Sequence, residues 1–338
     1  MRLNHRGHFI PPCQILKFRA IALFSGGLDS LLAVKIIMGM DIEVEGIAFE
    51  TPFFSAQKAR MAAKTIGLPL AVIDLTAPHL IMLKAPRYGY GKNMNPCIDC
   101  HTLMLKTAGA YMETAGADFI LTGEVLGQRP MSQTRQSLHL VAKNSGYGGA
   151  ILRPLSARLL PETKPERERI VDRTRLLAIQ GRGRKTQMEL ARHYGIADYA
   201  PPAGGCLLTD PNFSRRLRDL FDHQPDCRVR DVDILKFGRH FRIPDGAKII
   251  VGRNQNDNEA IQSLIAGNDV VIQLADVAGP TVLVPDGGSD EALAIAATLC
   301  VLYSGTSSAS KVLCKGAGRD AVFIAEALSR KIAQRMLI

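Results

Sequence analysis

The sequence predicts an α/β protein with a parallel-sheet domain over residues 17–210, a linker helix over 211–227 and a separate α+β domain over 228–338. Three observations carry this. Between Phe18 and Asp118 short apolar runs alternate with helical stretches, the rhythm of strands joined by crossover helices. A Ser-Gly-Gly turn joins the first apolar run directly to the first helix. Beyond Asp226 the pattern changes to short strands with a hairpin signal.

The first strand is read in Lys17–Phe24, whose second half is a continuous apolar run, as expected for a strand buried on both faces. Leu31–Met38 follows as an apolar helix. Val44–Glu50 is a second strand, Ser55–Ile66 a helix stopped by Gly67-Leu68-Pro69, and Leu70–Leu75 a third strand. Thr102–Ala115 reads as a helix ended by Gly116, and Ala117–Thr122 as a fourth strand. Parallel strands covered on both faces bind ligands at their carboxyl ends. Asn144–Pro165, rich in Gly and Pro, is expected to be a loop region at that edge. Thr186–Tyr194 is a helix, followed by the punctuated run Ala200-Pro201-Pro202-Ala203-Gly204-Gly205-Cys206.

In the last domain Ile234–Ile243 and Ala247–Gly252 form a hairpin about Pro244-Asp245-Gly246. A helix at Asn256–Ile265, strands at Asp269–Leu274 and Thr281–Val284, and a helix at Asp290–Tyr303 complete the expectation.

A chain of 338 residues has room for two domains with real cores. Its net charge of +10 favours polyanionic partners such as RNA. Residues 1–12 carry Arg and His without an apolar centre, so no signal peptide is expected. No apolar run is long enough to span a membrane. Seven cysteines are odd in number and sparse for this length, which argues against a disulfide framework and for a cytoplasmic chain with reduced thiols.

The strongest motif is Ser25-Gly26-Gly27-Leu28-Asp29-Ser30. Strand, Gly-Gly turn and helix N-terminus together make an anion cradle, because unpaired amides of the first helical turn point at a ligand that glycines allow to approach. Ser25 and Ser30 can add hydroxyl hydrogen bonds, and Asp29 can help hold magnesium on a phosphate chain. No Gly-Lys-Ser/Thr follows, so no lysine is built into the loop for the terminal phosphates.

A second constellation is Asn95-Pro96-Cys97-Ile98-Asp99-Cys100-His101. Two thiols at this spacing can share a metal or exchange as a redox pair. With Cys206 they make three thiolate ligands, which leaves one iron of a [4Fe–4S] cluster open. His101 could instead complete a zinc site or cap the following helix. Cys13, Cys227, Cys300 and Cys314 read as ordinary small residues. Arg153-Pro154-Leu155 and Gly181-Arg182-Gly183-Arg184-Lys185 are candidate anion-handling elements. Lys236-Phe237-Gly238-Arg239-His240-Phe241-Arg242 interleaves aromatics with cations, a composition suited to stacking on bases.

On these residues the chain resembles known families. The Ser25–Ser30 loop resembles the pyrophosphate loop of the PP-loop ATP-pyrophosphatases, which implies a HUP/PP-loop, adenine nucleotide alpha hydrolase-like fold and splitting of ATP into AMP and pyrophosphate. Asn95–Cys100, then Gly116–Gly123, resembles bacterial tRNA 2-thiouridylases, and the three cysteines resemble the iron–sulfur-dependent tRNA thiolases, including shortened 4-thiouridine synthetases. Residue by residue, this implies Cys100 and Cys206 as catalytic cysteines with Asp29, nucleotide contacts from Ser25, Gly26, Gly27, Asp29 and Ser30, and Cys97, Cys100 and Cys206 as metal ligands.

Glu124 departs from the pattern, which has His there, and Leu126–Gln133 lies outside the usual motif. Asp233–Glu259 is similar to the RNA-binding domain of the NFACT family. The implied activity is ATP-dependent thiolation of a tRNA uridine at C2 or C4. Its cofactors would be ATP, Mg2+ and a [4Fe–4S] cluster, with zinc or a metal-free persulfide as alternatives. Its partners would be tRNA and a sulfide or persulfide donor such as a cysteine desulfurase, with no membrane. An amide-forming synthetase of the same superfamily and a non-catalytic ATP- and RNA-binding module are the competing readings.

Overall fold

A computed structural model of the chain describes residues 17–199, 205–306 and 308–338. Residues 200–204 of the Gly/Pro-rich run, and Cys13, lie outside them. The chain divides into two compact units, one of residues 1–91 and 96–205, the other of residues 92–95 and 206–338.

The first unit runs β1 (Arg19–Leu23), α1 (Leu28–Met38), β2 (Glu43–Glu50), α2 (Gln57–Ile66), β3 (Leu70–Asp74), α3 (Thr76–Lys84), α4 (Cys97–Ala115), β4 (Phe119–Thr122), α5 (Arg135–Ser145), β5 (Ile151–Leu152), α6 (Lys164–Arg167) and α7 (Lys185–His193). Its described strands form a sheet of order β3-β2-β1-β4-β5, and every neighbouring pair is parallel. β1 thus pairs with β2 on one side and β4 on the other, and the order reverses there. Such a switch point opens a crevice beyond the strand carboxyl ends.

Alternation along the strands feeds two cores. Ala20, Ala22 and Phe24 pack with Leu31, Ala59 and Ala191 from α1, α2 and α7. Ile21, Ile47 and Ile120 face Leu105 and Val141 from α4 and α5. The sheet is therefore covered on both faces, which is why its strands are apolar throughout. Two differences from the sequence expectation bear on the site. The fourth helix begins at Cys97 rather than Thr102, because Pro96 starts it and the Cys100 amide already bonds the Pro96 carbonyl at 2.9 Å. The expected loop after Asn144 contains β5, a strand of two residues that is too short to show periodicity.

The second unit runs α8 (Pro211–His223), α9 (Val229–Asp233), β6 (Arg239–Arg242), β7 (Lys248–Val251), α10 (Gln255–Ser263), β8 (Val270–Leu274), β9 (Val282–Val284), α11 (Asp290–Ser304), β10 (Ser310–Lys315), β11 (Ala321–Ala325) and α12 (Arg330–Met336). The helix expected to link two domains is α8, and it lies inside this unit. Asp210 caps it by accepting from the Phe213 amide at 2.7 Å, and Phe213, Leu217 and Leu220 are buried along one face. The described strands form an antiparallel sheet of order β11-β10-β8-β9-β7-β6. Leu293, Ala296 and Cys300 of α11 pack on Val251, Val270, Val282 and Val312. The hairpin about Pro244–Gly246 is present as β6–β7.

Candidate active site

The Ser25–Ser30 loop leaves the carboxyl end of β1 and enters α1 through Gly27, which is the N-cap. No side chain caps this helix, so its first amides are left for a ligand. The loop is clamped from two sides. A Cβ on Gly26, whose φ is +74°, would lie 2.4 Å from the Lys58 carbonyl oxygen at the start of α2. A Cβ on Gly123, just past β4, would lie 2.5 Å from the Ser30 amide. Both positions exclude any other residue. The Ser30 hydroxyl donates to the Gly27 carbonyl at 2.8 Å, which holds the turn, while Ser25 is exposed beside it.

Asp29, on the first turn of α1, gathers residues that no motif signalled. Its Oδ2 accepts from the Gln128 amide at 3.2 Å. Burial raises its pKa, against the opposing pull of Gln128, Arg184, Gln187 and Arg129. Its Oδ1, Arg184 Nε and the Gln187 amide are buried short of a well-formed hydrogen bond, with the Gln187 amide close enough to Asp29 to lower its pKa. Each such atom costs about 1–3 kcal/mol in a folded protein. Gln128 and Arg129 come from the segment outside the usual motif, and Arg184 from the basic run. Gln187 sits in an unremarkable helix and carried no signal. An orphaned carboxylate oxygen beside uncapped amides suits a magnesium–phosphate ligand.

Cys97 and Cys100 occupy the first turn of α4 and are half-buried. Cys206 is half-buried in the second unit, where its carbonyl accepts from the Thr209 hydroxyl at 2.7 Å. Cys227, Cys300 and Cys314 are buried, and burial pushes the Cys300 thiol up to about 12. Among the described residues, no group of three or more His, Cys, Asp or Glu side chains is placed to hold a metal ion. Three thiolates are the donor chemistry an iron–sulfur cluster takes.

The residue after Cys100 belongs to a different network. His101 Nδ1 is 3.0 Å from Glu124 Oε1, and the Arg153 guanidinium donates to Glu124 Oε2 at 2.9 Å. Thr122 Oγ1 donates to the same oxygen at 3.2 Å. Burial alone would raise the Glu124 pKa, but Arg153 and His101 outweigh it and bring it down to about 2. Two expectations change here. Arg153 is buried in an ion pair, so it is not poised for a phosphate, and the His101 ring reaches Glu124 instead of capping α4.

The Lys236–Arg242 stretch is likewise not a stacking platform. Strand alternation puts Phe241 in the core beside Tyr303, and Phe237 packs against Ile234, Ile250 and Leu283. Lys236 pairs with Asp233, Arg242 with Asp219, and Arg239 lies 4.6 Å over the Tyr303 ring. Interleaved aromatics and cations arose here from a half-buried hairpin.

Comparison with known proteins divides along the same lines. Residues 17–158 match the family model of the thiamine biosynthesis protein ThiI, and residues 238–326 match that of the NFACT protein RNA binding domain. A probable tRNA sulfurtransferase of Thermoanaerobacter sp. (strain X514) is 30% identical over 141 residues, covering 40% of this chain and 36% of that one. One of Lysinibacillus sphaericus (strain C3-41) is 33% identical over 147 residues, covering 40% and 34%. The chain thus spans about a third of the length of the curated relatives it matches. A solved 4-thiouridine synthetase–RNA complex with bound ATP shares 21% identity over 64% of this chain and 52% of that one, with a TM-score of 0.37. The C-terminal part of a fibronectin/fibrinogen-binding protein from Streptococcus suis shares 14% over 46% and 77%, with a TM-score of 0.28. The first unit is similar to the PP-loop part of tRNA sulfurtransferases, and the second carries a segment similar to an RNA-binding domain. No described helix is long and apolar enough to cross a membrane.

Proposed function

We propose that the chain is an ATP-dependent tRNA sulfurtransferase. The observation that carries this is the pairing, on one sheet edge, of an uncapped Gly-Gly cradle bearing an orphaned Asp29 oxygen with a half-buried Cys-x-x-Cys helix start, in the segment shared with proteins named as tRNA sulfurtransferases. The loop amides and Ser25 would bind the nucleotide phosphates, with Asp29 holding magnesium on them. A uridine carbonyl oxygen attacks the α-phosphate, the N3 proton is lost, and pyrophosphate departs. Hydrosulfide then adds to the activated carbon, AMP leaves with the former carbonyl oxygen, and the sulfur's proton passes to N3. Where the sulfur comes instead as a persulfide on one cysteine, the other cysteine thiolate attacks that cysteine's Sγ, freeing the thiouridine sulfur to take a proton at N3 and leaving a disulfide for a thiol reductant to reopen.

The site for the sulfur is Cys97, Cys100 and Cys206. A [4Fe–4S] cluster on these thiolates would have one iron without a protein ligand, open to the incoming sulfur. Incubation of the anaerobically purified chain with ATP, tRNA and sulfide should release pyrophosphate only when tRNA is present, and should yield a thiolated uridine on nucleoside analysis. Pyrophosphate release without any thiolated nucleoside would point to another acceptor. Colourless anaerobic protein, or activity surviving Cys97→Ala, would remove the cluster and leave a persulfide route through Cys100 and Cys206.

A further inference from the structure

We propose that a cleft along α8 binds the RNA backbone, with Lys92, Arg215 and Arg218 as its phosphate contacts. This deepens the tRNA reading and rests on it, though not on the sulfur chemistry. The cleft has a volume of about 400 Å³, and its lining comes wholly from the second unit, from residues 92–93 and from α8 between Pro211 and His223. α8 lies between the stretches that the two family models match and belongs to neither.

Helix spacing and the neighbouring hairpin account for the charge. Arg215 and Arg218 are three positions apart and share the helix face opposite the buried Phe213, Leu217 and Leu220. The natural partner of Arg215 is Asp219, one turn on. Both Asp219 oxygens are already taken, because Arg242 donates to them at 3.0 and 2.6 Å and Lys248 adds a bond at 3.3 Å. Arg215 instead donates to the Asn212 side chain at 2.7 Å, and Arg218 reaches the Met94 sulfur at 3.8 Å, a weak acceptor. Both guanidinium groups are thus exposed without a carboxylate, and each keeps its planar fork for a phosphodiester.

Lys92 is exposed beside them on a loop that is tied down. The Asn93 side chain donates to the Thr209 carbonyl at 2.7 Å, and the Met94 amide donates to the Ser214 hydroxyl at 3.3 Å. Against three cations the lining sets one acid outside any ion pair, Asp222. Among the described residues that line the cleft Pro211 alone is apolar, whereas a protein interface would set an apolar centre there.

The test is equilibrium binding of one tRNA to the full chain at several salt concentrations. The double variant R215A/R218A should bind at least ~10-fold more weakly at about 0.1 M salt. Its slope of log affinity against log salt should be shallower by roughly 1.5–2, as for two lost phosphate contacts. Lys92→Ala should flatten the slope by about one. Arg218→Lys should keep most of the slope and lose part of the affinity, since charge remains without the fork. Asp222→Asn should tighten binding a few-fold, because a charge that repels phosphate has gone; a helix serving only the fold would show no such gain. Melting temperatures should hold within about 1–2 °C, since every replaced side chain is exposed. An unchanged slope in R215A/R218A would overturn the proposal. Should that variant lose melting temperature as well as affinity, unchanged tRNA binding in both Lys92→Ala and Asp222→Asn would overturn it. Inorganic phosphate at constant ionic strength should not displace tRNA, and displacement that the double variant abolishes would make this a site for free phosphate instead. Binding of polyglutamate that the double variant loses, with its tRNA slope unchanged, would give the cleft to an acidic protein. A wild-type chain that binds no tRNA would sink the tRNA reading and the cleft with it, whereas wild-type slopes in every variant would sink the cleft alone.

Discussion

Two carboxylates at one sheet edge meet opposite fates. Glu124, just beyond β4, is buried with both oxygens partnered, by His101 on one side and by Arg153 and Thr122 on the other. Asp29, on the neighbouring α1, has one oxygen bonded to Gln128 and the other buried near the Gln187 amide without a well-formed hydrogen bond. The first is held ionised down to about 2, while burial makes the second harder to ionise. A satisfied polar network fixes structure, whereas an unsatisfied one at a helix N-terminus is arranged for a ligand. The stability of the fold and the function of the site therefore come apart residue by residue, and mutations can show it.

The largest effect should come from stranding Glu124. Arg153→Leu leaves a buried carboxylate without its main counter-charge and should cost about 3–5 kcal/mol. At about 2–4 °C per kcal/mol for units of this size, that is a melting shift on the order of 10 °C. The pH dependence follows in sign. A depressed carboxylate pKa contributes stability above its ordinary value of 4.5, and that contribution is lost as pH falls through about 2. Urea unfolding of wild type and Glu124→Gln should thus converge as pH is lowered across that window. A gap that widens instead would mean that the network does not stabilise the fold.

Asp29→Asn should do the reverse. Because the folded-state pKa of Asp29 is raised, its charged form weakens the fold as pH rises through that pKa, and neutralising it should hold or raise the melting temperature at neutral pH. Pyrophosphate release should nonetheless fall at least ~10²-fold, since metal charge and positioning carry this chemistry. A variant that loses stability and keeps turnover would invert the comparison. Gly26→Ala sharpens it from the backbone side. Its Cβ would press on the Lys58 carbonyl, so the loop cannot keep its shape and ATP binding should be lost, with a modest melting shift if the clash stays local.

The loop, the alternation of strand and helix and the Cys-x-x-Cys start were all legible in the sequence, because each depends on residues close in the chain. Ser25–Ser30 needs only its flanking strand and helix to be recognised, and the hairpin at Pro244–Gly246 only its turn chemistry. The Asp29 partners were not legible as partners. Gln128 reaches it from one stretch and Arg184 and Gln187 from another, and their meaning comes from burial and hydrogen-bond geometry, neither of which a sequence displays. The same blindness misread Arg153, which looks like a surface cation until β5 carries it beside Glu124. It also misread Phe241, whose neighbouring cations turn outward along a strand while its own ring turns in.

The smallest effect tests whether, and through which strand, the second unit contacts RNA, as its match to an RNA-binding domain model suggests for testing. Lys236 and Arg239 are committed to Asp233 and to the Tyr303 ring, so replacing either with Ala should leave the salt dependence of tRNA binding unchanged. Lys311 and Lys315 differ. They are exposed on β10, two residues either side of Leu313 on the same strand face, and Lys311 and Leu313 pair across to the exposed Ile324 and Val322 of β11. We therefore expect Lys311→Ala to weaken tRNA binding a few-fold at about 0.1 M salt. It should also reduce the slope of log affinity against log salt by about one, the signature of a single lost phosphate contact. Equilibrium binding of one tRNA at several salt concentrations measures this directly. A reduced slope in Arg239→Ala with an unchanged one in Lys311→Ala would return the RNA contact to the hairpin that the packing of Phe241 and Phe237 argues against.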